Sequence, residues 1–498
     1  MRALLSPYYK TGLAALAKGL EALGWELIAS GTTSQFLTDE GVGHTLVSSV
    51  TGSPEMLGGR VKTLHPKIYG GILADRSKPE HLADLESNGI VAIDLVVGGL
   101  YPFNEEPSIE MIDIGGPTMV RAAAKNHAHV GIVVTPDDYG AVLEEIRKEG
   151  ALSDVTRRRL ARKAFALTAA YDAAIVGWLD GDEALPPTIH IALERVQELR
   201  YGENPHQQGA RYRNVGGDSF WDHVVQHGGM DLSYLNLYDA EAAWQTAYDL
   251  GDGPVAVVVK HANPCGVGVA ETLAQAYQLA FDCDPRSAFG GIVAVNRVID
   301  AATVEEMVAA AQADVVIAPG YEDGVIEALA KKRRNTRVLT ATPPTPSTRD
   351  YRQIDGGFLV QHAHHFAASS SEWRVVTKRT PTDEEMQDAE LAWRVCGHVK
   401  SNAIVLVKGG QAVGIGAGQQ NRVESGLIAA SKAAGRAKGG ACASDAFYPF
   451  PDGVEAAADA GVAVVIQPGG SMRDDEVIAK ADELGLAMIF TGERHFLH

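Results

Sequence analysis

The chain has 498 residues, 46% hydrophobic and 21% charged, which implies more than one core and soluble, globular domains. Its 44 basic and 63 acidic residues leave a net charge of -19, which argues against nucleic acid as a partner, because that binding relies on a basic face. No apolar run is long enough to cross a bilayer, residues 1–7 carry no apolar leader segment, and four scattered cysteines form no C-x-x-C pair; a cytoplasmic protein without disulfides, zinc site or membrane contact is expected.

Leu13, Leu16, Leu20 and Leu23 recur at helical spacing, and Gly24 closes that helix. Trp25 to Ala29 reads as a strand running into the Ser30-Gly31-Thr32-Thr33-Ser34 loop and then a helix. That arrangement suits a phosphate, although an ordinary α/β turn fits equally well. The Gly- and Pro-rich stretch from Thr51 to Pro66 holds Arg60, Lys62 and His65, with Lys67 beyond it. Cations crowded into a loop of an acidic chain suggest anion recognition, and simple solubility is the alternative. Val91 to Val97 reads as a strand, followed by Gly98-Gly99-Leu100-Tyr101-Pro102-Phe103. In a parallel sheet the ligand crevice lies beyond the carboxyl ends of strands, where Tyr101 would sit.

Asp113-Ile114-Gly115-Gly116-Pro117-Thr118 leads into a helix bearing Arg121, Lys125, Asn126 and His127. Arg121 and Lys125 share a face, and an ion pair with Asp113 is the purely structural alternative for Lys125. A strand over Val130 to Val134, a helix through Val142, Leu143 and Ile146, and a long helix over Thr156 to Leu179 complete the alternation. It predicts an α/β fold with a doubly wound parallel sheet over residues 1–190, ended by Pro186-Pro187.

Residues 199–207 (LRYGENPHQ) read as a site loop opening a second domain, 191–498. Val257-Val258-Val259 then reads as a buried strand that ends in Lys260-His261 and is stopped by Pro264 and Gly266. An amine and an imidazole, the side chain that exchanges protons near neutral pH, are thus held at the mouth of an apolar strand. An echo follows: Val259-Lys260 precedes Gly266-Val267-Gly268, and Val407-Lys408 precedes Gly414-Ile415-Gly416 at the same offset. Phe289 and Phe447 each trail a short Ser-containing run. This is either a duplicated α/β unit, about 191–350 and 351–498 with the Pro/Thr-rich connector 340–347 between, or coincidence. Gly414 to Arg422 reads as a Gly-rich turn without the dinucleotide fingerprint. Ser444 to Asp452 places three aromatics between two carboxylates, which suits a flat heterocycle or an ordinary hydrophobic loop. Gln467-Pro468-Gly469-Gly470-Ser471 follows another strand, and the tail Arg494 to His498 is expected to fray.

The elements GRVKTLHPKI, LYPF, IDIGGPT, RAAAKNH, LRYGENPHQ, KHANPCG, SDAFYPF and the terminal RHFLH occur in one order over nearly the whole chain. Together they closely resemble the bifunctional purine-biosynthesis family that joins phosphoribosylaminoimidazolecarboxamide (AICAR) formyltransferase to inosine monophosphate (IMP) cyclohydrolase. The resemblance implies a methylglyoxal-synthase-like N-terminal domain that closes the purine ring. It also implies a C-terminal transformylase of two cytidine-deaminase-like units, 10-formyltetrahydrofolate as co-substrate, and a homodimer with transformylase sites at its interface. It implies neither a redox cofactor nor a catalytic metal, since the H-x-E and P-C-x-x-C zinc pattern is missing. By position, Lys260 and His261 match the transformylase catalytic pair and Asn402 the group that orients the carboxamide. Arg200, Tyr201, Asp314, Arg422, Phe447 and Arg494 match nucleotide contacts, and Pro449, Phe450, Asp452 and Ser471 match folate contacts. Arg60, Lys62, Tyr101, Asp113 and Lys125 match cyclohydrolase positions, with Ser30, Gly31 and Thr33 in the phosphate loop. The chain departs from the family's usual pattern at Ser6-Pro7-Tyr8-Tyr9-Lys10 (more often Ser-x-Ser-Asp-Lys), at Gly99 (usually Asn) and at Ser30 to Thr33 (Thr-Gly-Gly-Thr), all in the cyclohydrolase half. Two further readings compete with the bifunctional enzyme: a transformylase with weakened cyclohydrolase, and a non-catalytic nucleotide sensor.

Overall fold

The computed structural model describes residues 1–498, which separate into two units: Met1–Leu193 with Asn214–Gly216, and Glu194–Arg213 with Gly217–His498. No helix is long and apolar enough to cross a membrane.

In the first unit the strands are β1 (Arg2–Ser6), β2 (Glu26–Ala29), β3 (Thr45–Leu46), β4 (Leu95–Gly98) and β5 (Gly131–Val133). They are all parallel and lie in the order β3-β2-β1-β4-β5. The apolar runs of β1, β2, β4 and β5 are buried on both faces, as a sheet covered by helices requires. The helix Leu13–Ala22 lays Leu13, Leu16 and Leu20 on that sheet. Successive strands step one way from β1 to β3 and the other way through β4 to β5, so the carboxyl ends of β1 and β4 flank the crevice where doubly wound sheets bind ligands. Two expectations shift. The predicted strand 91–97 is strand only from Leu95; Asp94 before it is tied down by its carboxylate, which accepts the Arg2 N–H at 2.7 Å and an Arg76 N–H at 2.6 Å. The Ser30–Ser34 loop does not exist as a loop, since the helix Gly31–Asp39 starts directly after Ser30.

The second unit is built on a twelve-stranded sheet. Its first half holds β8 (Val225–Gly228), β9 (Val255–Lys260), β10 (Asn263–Val269), β11 (Ile292–Val295), β12 (Val315–Ala318) and β13 (Arg337–Thr340). Its second half holds β16 (Arg374–Val375), β17 (Ile404–Lys408), β18 (Gln411–Gly416), β19 (Ala441–Ser444), β20 (Val464–Gln467) and β21 (Ala487–Phe490). The order β16-β21-β20-β19-β17-β18-β10-β9-β11-β12-β13-β8 is a palindrome of equivalent strands. Each half contributes one antiparallel hairpin, three parallel strands and an antiparallel edge strand, joined to its twin by β10 against β18. The helix before each hairpin buries a tryptophan, Trp244 or Trp393, in one shared core. Two smaller two-stranded sheets stand apart: β6 (Leu193–Leu199) with β7 (Gly209–Asn214), and β14 (Arg349–Ile354) with β15 (Gly357–His362).

The echo in the sequence is therefore structural, but only in part. Gly266 and Gly268 on β10 are required by the helix Leu273–Cys283, for a Cβ would stand 1.9 Å from the Ala280 carbonyl oxygen or 2.1 Å from that of Ala276. Gly414 and Gly416 on β18 meet Ala429 and Ser425 carbonyl oxygens at 2.1 and 1.9 Å in the same way. Two expectations are corrected here. Pro264 and Gly266 do not stop a strand but lie on β10, at a bulge that tolerates proline, and Gly414 to Gly416 form a strand rather than a turn. The two phenylalanines are not twins, because Phe289 precedes β11 whereas Phe447 follows β19, the equivalent strand.

Candidate active sites

An open cavity of about 380 Å³ occupies the crevice of the first unit. Pro7 and Tyr8 reach it beyond β1, Ser30 and Thr33 beyond β2, Gly99 and Tyr101 beyond β4, together with Arg60, Lys62 and Asp113. The helix Gly115–Lys125 begins at the cavity, so its free N–H groups and positive dipole end face it. Asp113 caps that helix by accepting the Gly116 N–H at 2.9 Å. Burial raises its pKa, while the amides of Gly116, Tyr101 and Gly115 pull the other way. Burial likewise raises the Tyr101 pKa, with the Asp113 carboxylate adding to it. A desolvated carboxyl and a phenol thus share one wall. The Tyr8 ring stands edge-on to Tyr101 at 5.5 Å. A Cβ at Gly99 would lie 3.2 Å from the Tyr8 nitrogen.

Cations gather around the same cavity. Lys62 reaches in past Gly31 and Gly59, where a Cβ would stand 2.8 Å from its Nζ or 2.6 Å from its Cε, and its amine lies 3.7 Å from Glu55 Oε2. Gly31 serves by this absence and its amide donates to Glu55 at 3.2 Å. Arg60 is exposed and paired with Glu110. Lys10, noted in the sequence only within its SPYYK run, donates to Thr33 Oγ1 at 2.9 Å and to the carbonyls of Pro7 and Tyr8. Burial, then the neighbouring Lys62, pushes its pKa down to about 8. Lys125 is not brought to this cavity. It ends the eleven-residue helix that Asp113 caps, and ten steps of about 1.5 Å place it roughly 15 Å along the axis. The structure thus does not set Lys125 beside Asp113, and its place in the cyclohydrolase set rests on the resemblance alone. Tyr171 was seen only as a helix residue, yet its hydroxyl accepts the Asp113 N–H at 2.8 Å and donates to the Met111 carbonyl at 2.7 Å.

In the second unit strand direction does the gathering. β9, β18, β19, β20 and β21 all run toward one edge of the sheet, while β10, β11, β12 and β17 start from it. That edge therefore carries Lys260 and His261 after β9, Asp314 before β12, Asn402 before β17, Arg422 after β18, and Phe447, Pro449, Phe450 and Asp452 after β19. Ser471 and Arg494 follow β20 and β21 onto it. Lys260 donates through Nζ to the Phe289 carbonyl, and a Cβ at Gly290 would touch both Lys260 Nζ, at 3.6 Å, and Asp314 Oδ1, at 3.8 Å. Asn263, which the sequence reading passed over, ties this turn to the Asn402 segment by accepting the Lys400 N–H at 2.9 Å. Asn402 itself donates to the Gln419 carbonyl at 2.8 Å.

Arg422 pairs at 2.6 Å with Asp445, which is fully buried and also accepts the Ser401 hydroxyl. The tail does not fray. The His495 N–H donates to the Asp445 carbonyl at 3.0 Å, Ser401 N–H donates to the Leu497 carbonyl at 2.8 Å, and the His495 side chain is buried. Arg494 lies over the Phe496 ring at 4.4 Å and Arg473 over Phe450 at 4.9 Å. Asp452 opens the helix Asp452–Asp459, and the Ser471 hydroxyl accepts the Arg473 N–H at 3.2 Å. Arg200 and Tyr201 follow β6 in its separate two-stranded sheet. Four strand steps of about 4.8 Å separate β9 from β19, so Lys260 and Phe447 stand about 19 Å apart along the edge.

Comparison with known proteins finds a family for each part of the chain, the second match beginning inside the first unit. Residues 12–127 match the family model of the MGS-like domain, and residues 123–432 that of the AICARFT/IMPCHase bienzyme. The chain is 48% identical over 522 residues to "Bifunctional purine biosynthesis protein PurH" of Roseobacter denitrificans, covering 100% of this chain and 98% of that one. It is 49% identical over 524 residues to the protein of the same name from Sorangium cellulosum, covering 100% and 99%. A solved structure described as "Crystal structure of ForH" is 38% identical, covers 36% of this chain and 97% of that chain, and has a TM-score of 0.33.

Proposed function

This chain belongs to the AICARFT/IMPCHase bienzyme family, and from that premise we propose how its two units divide the work of a bifunctional formyltransferase and cyclohydrolase of purine biosynthesis. The second unit transfers a formyl group from 10-formyltetrahydrofolate to the 5-amino group of AICAR. The amino nitrogen bonds to the formyl carbon, the bond from that carbon to the folate nitrogen breaks, and the proton passes from the amine to the departing nitrogen. His261 carries that proton, and the Lys260 ammonium faces the oxygen on which charge develops. Asn402 orients the carboxamide and Asp314 and Arg422 hold the nucleotide. Phe447 supplies a stacking face, and Arg494 a cation for phosphate. Pro449, Phe450, Asp452 and Ser471 receive the folate.

These groups span more of the sheet edge than one nucleotide covers, and Arg200 and Tyr201 belong to another sheet. Both facts favour a homodimer in which one copy's Lys260 and His261 meet nucleotide contacts of its partner. In the first unit the carboxamide nitrogen of the formylated nucleotide attacks the formyl carbon. Lys62 and Tyr101 face the oxyanion, Asp113 exchanges the proton, and water leaves as the ring closes to IMP. Ser30, Thr33, Arg60 and the Gly115 and Gly116 amides suit the phosphate. Pro7, Tyr8, Ser30 and Gly99, where this chain departs from the family pattern, all line this cavity.

The observation that carries the reading is the convergence of Lys260, His261, Asn402 and Asp314 on one edge through strand direction. The test is a two-step assay with each nucleotide supplied separately. Lys260→Ala and His261→Ala should each abolish formyl transfer and spare ring closure, and Asp113→Ala should do the reverse. Positioned acid–base groups give roughly 10²–10⁴-fold, so transfer unchanged within about threefold in either transformylase variant refutes the assignment.

A further inference from the structure

The turn that presents His261 is strained. Lys260 pairs directly with Asn263, so His261 and Ala262 form a two-residue hairpin turn, and both have left-handed backbones, with φ of 56° and 54°. Such a turn needs positive φ at both positions and is normally built from Gly, Asn or Asp. A side chain there costs roughly 1–2 kcal/mol per residue. The twin hairpin shows the unstrained solution: Lys408 pairs with Gln411, and the turn between them is Gly409-Gly410, with φ of 58° and 77°.

What holds the strained version is a carboxylate on the helix Tyr234–Asp249. Asp239 Oδ1 accepts the Ala262 N–H at 2.8 Å, and the His261 N–H bonds to the same carboxylate. The twin keeps the device, since Asp388 on the helix Asp383–Cys396 accepts the Gly410 N–H at 3.2 Å and pairs with Lys408 at 3.6 Å. Asp239 is half-buried, and burial raises its pKa against the pull of those two amides and of the nearby His261 and Lys260. A desolvated carboxylate is therefore retained beside a turn whose backbone needs an acceptor.

We propose that Asp239 is a positioning residue for formyl transfer: by clamping the two left-handed amides it fixes the His261 imidazole and the Lys260 amine toward the substrate edge. The proposal rests on the role given to His261 above. It goes beyond that role in assigning the geometry of the site to a residue that touches no substrate.

The test measures both half-reactions in Asp239→Ala, Asp239→Asn, Asp388→Ala and the double variant Asp239→Ala/Ala262→Gly. Displacing a reacting group by about 1 Å can cost 10²-fold, so kcat for transfer in Asp239→Ala should fall about 10²-fold while KM for AICAR and the rate of ring closure stay within about threefold. Ala262→Gly removes the strain at one turn position and should restore at least a tenth of the lost rate. Asp388→Ala should lower the melting temperature without lowering kcat. If Asp239→Ala does not fold, Asp239→Asn, which keeps one acceptor, is read in its place, with a fall of about three- to tenfold expected. Transfer at the parental rate in the folded Asp239 variants overturns the proposal, and so does an equal loss of ring closure. Should His261→Ala retain transfer, the reading of His261 fails instead, whatever Asp239 does.

Discussion

The hairpins β9–β10 and β17–β18 share a two-residue turn, a bulge, a pair of glycines under a helix and a carboxylate at the turn, yet the proposed chemistry sits on only one of them. In the second half the turn is Gly-Gly and ends on the sheet edge away from the site. In the first half it is His-Ala and lies on the edge proposed for the substrates. The scaffold occurs twice, and the proposed catalytic pair falls in the copy whose turn is hardest to form. Strain of this kind persists where the surroundings over-determine it.

The sharpest way to break the comparison is to give the first hairpin the second one's turn. His261→Gly should lower formyl transfer by about 10²–10⁴-fold, leave ring closure unchanged and not lower the melting temperature, because the left-handed position is relieved. Calorimetry beside the stepwise assay checks both parts, and a fall in stability would show that His261 is held there by packing rather than by function. A second contrast is the tail, which docks only on the second half. Burial, then the neighbouring His364 with His495 Nδ1 2.6 Å from its Nε2, pushes the His495 pKa down to about 4, against the pull of Glu493 and with His398 adding to the effect. The neutral form is thus the folded one. Its stabilisation is present above the ordinary value of about 6.5 and is lost as pH falls through about 4. Melting temperatures measured over that window should fall more steeply in the parent than in His495→Phe. Parallel slopes would remove the tail from the account. The smallest effect tests the twinning itself: Gly266→Ala and Gly414→Ala should each destabilise the protein by about 1–3 kcal/mol, through equivalent clashes with a helix backbone. Urea titration of the two variants would separate true twins from look-alikes.

What was legible in the sequence was local. Apolar runs marked the strands, leucine spacing marked the helix Leu13–Ala22, and alternation marked the doubly wound sheet whose crevice holds Tyr101 and Asp113. The hairpin at Lys260 was hidden because its turn lacks the usual residues, so Pro264 and Gly266 read as an end. Gly414 to Gly416 misled in the opposite sense, since a glycine that admits a helix looks the same as one that makes a turn. Motif resemblance put Lys125 among the cyclohydrolase positions, and the length of the helix that separates it from Asp113 is not visible in a motif. Asp239 had no signature at all, for one acidic residue on an amphipathic helix acquires meaning only from the turn it faces.

Gly99 carries a last consequence. With Tyr8 nitrogen 3.2 Å from where its Cβ would be, this position and the segment after β1 form a steric pair. Installing the asparagine more usual in the family would press a side chain onto the main chain of Pro7-Tyr8 unless that segment were exchanged as well. Position 99 and the main chain after β1 are therefore coupled, and comparing Gly99→Asn, the exchanged segment and the two together in one cycle reads how far that main chain gives.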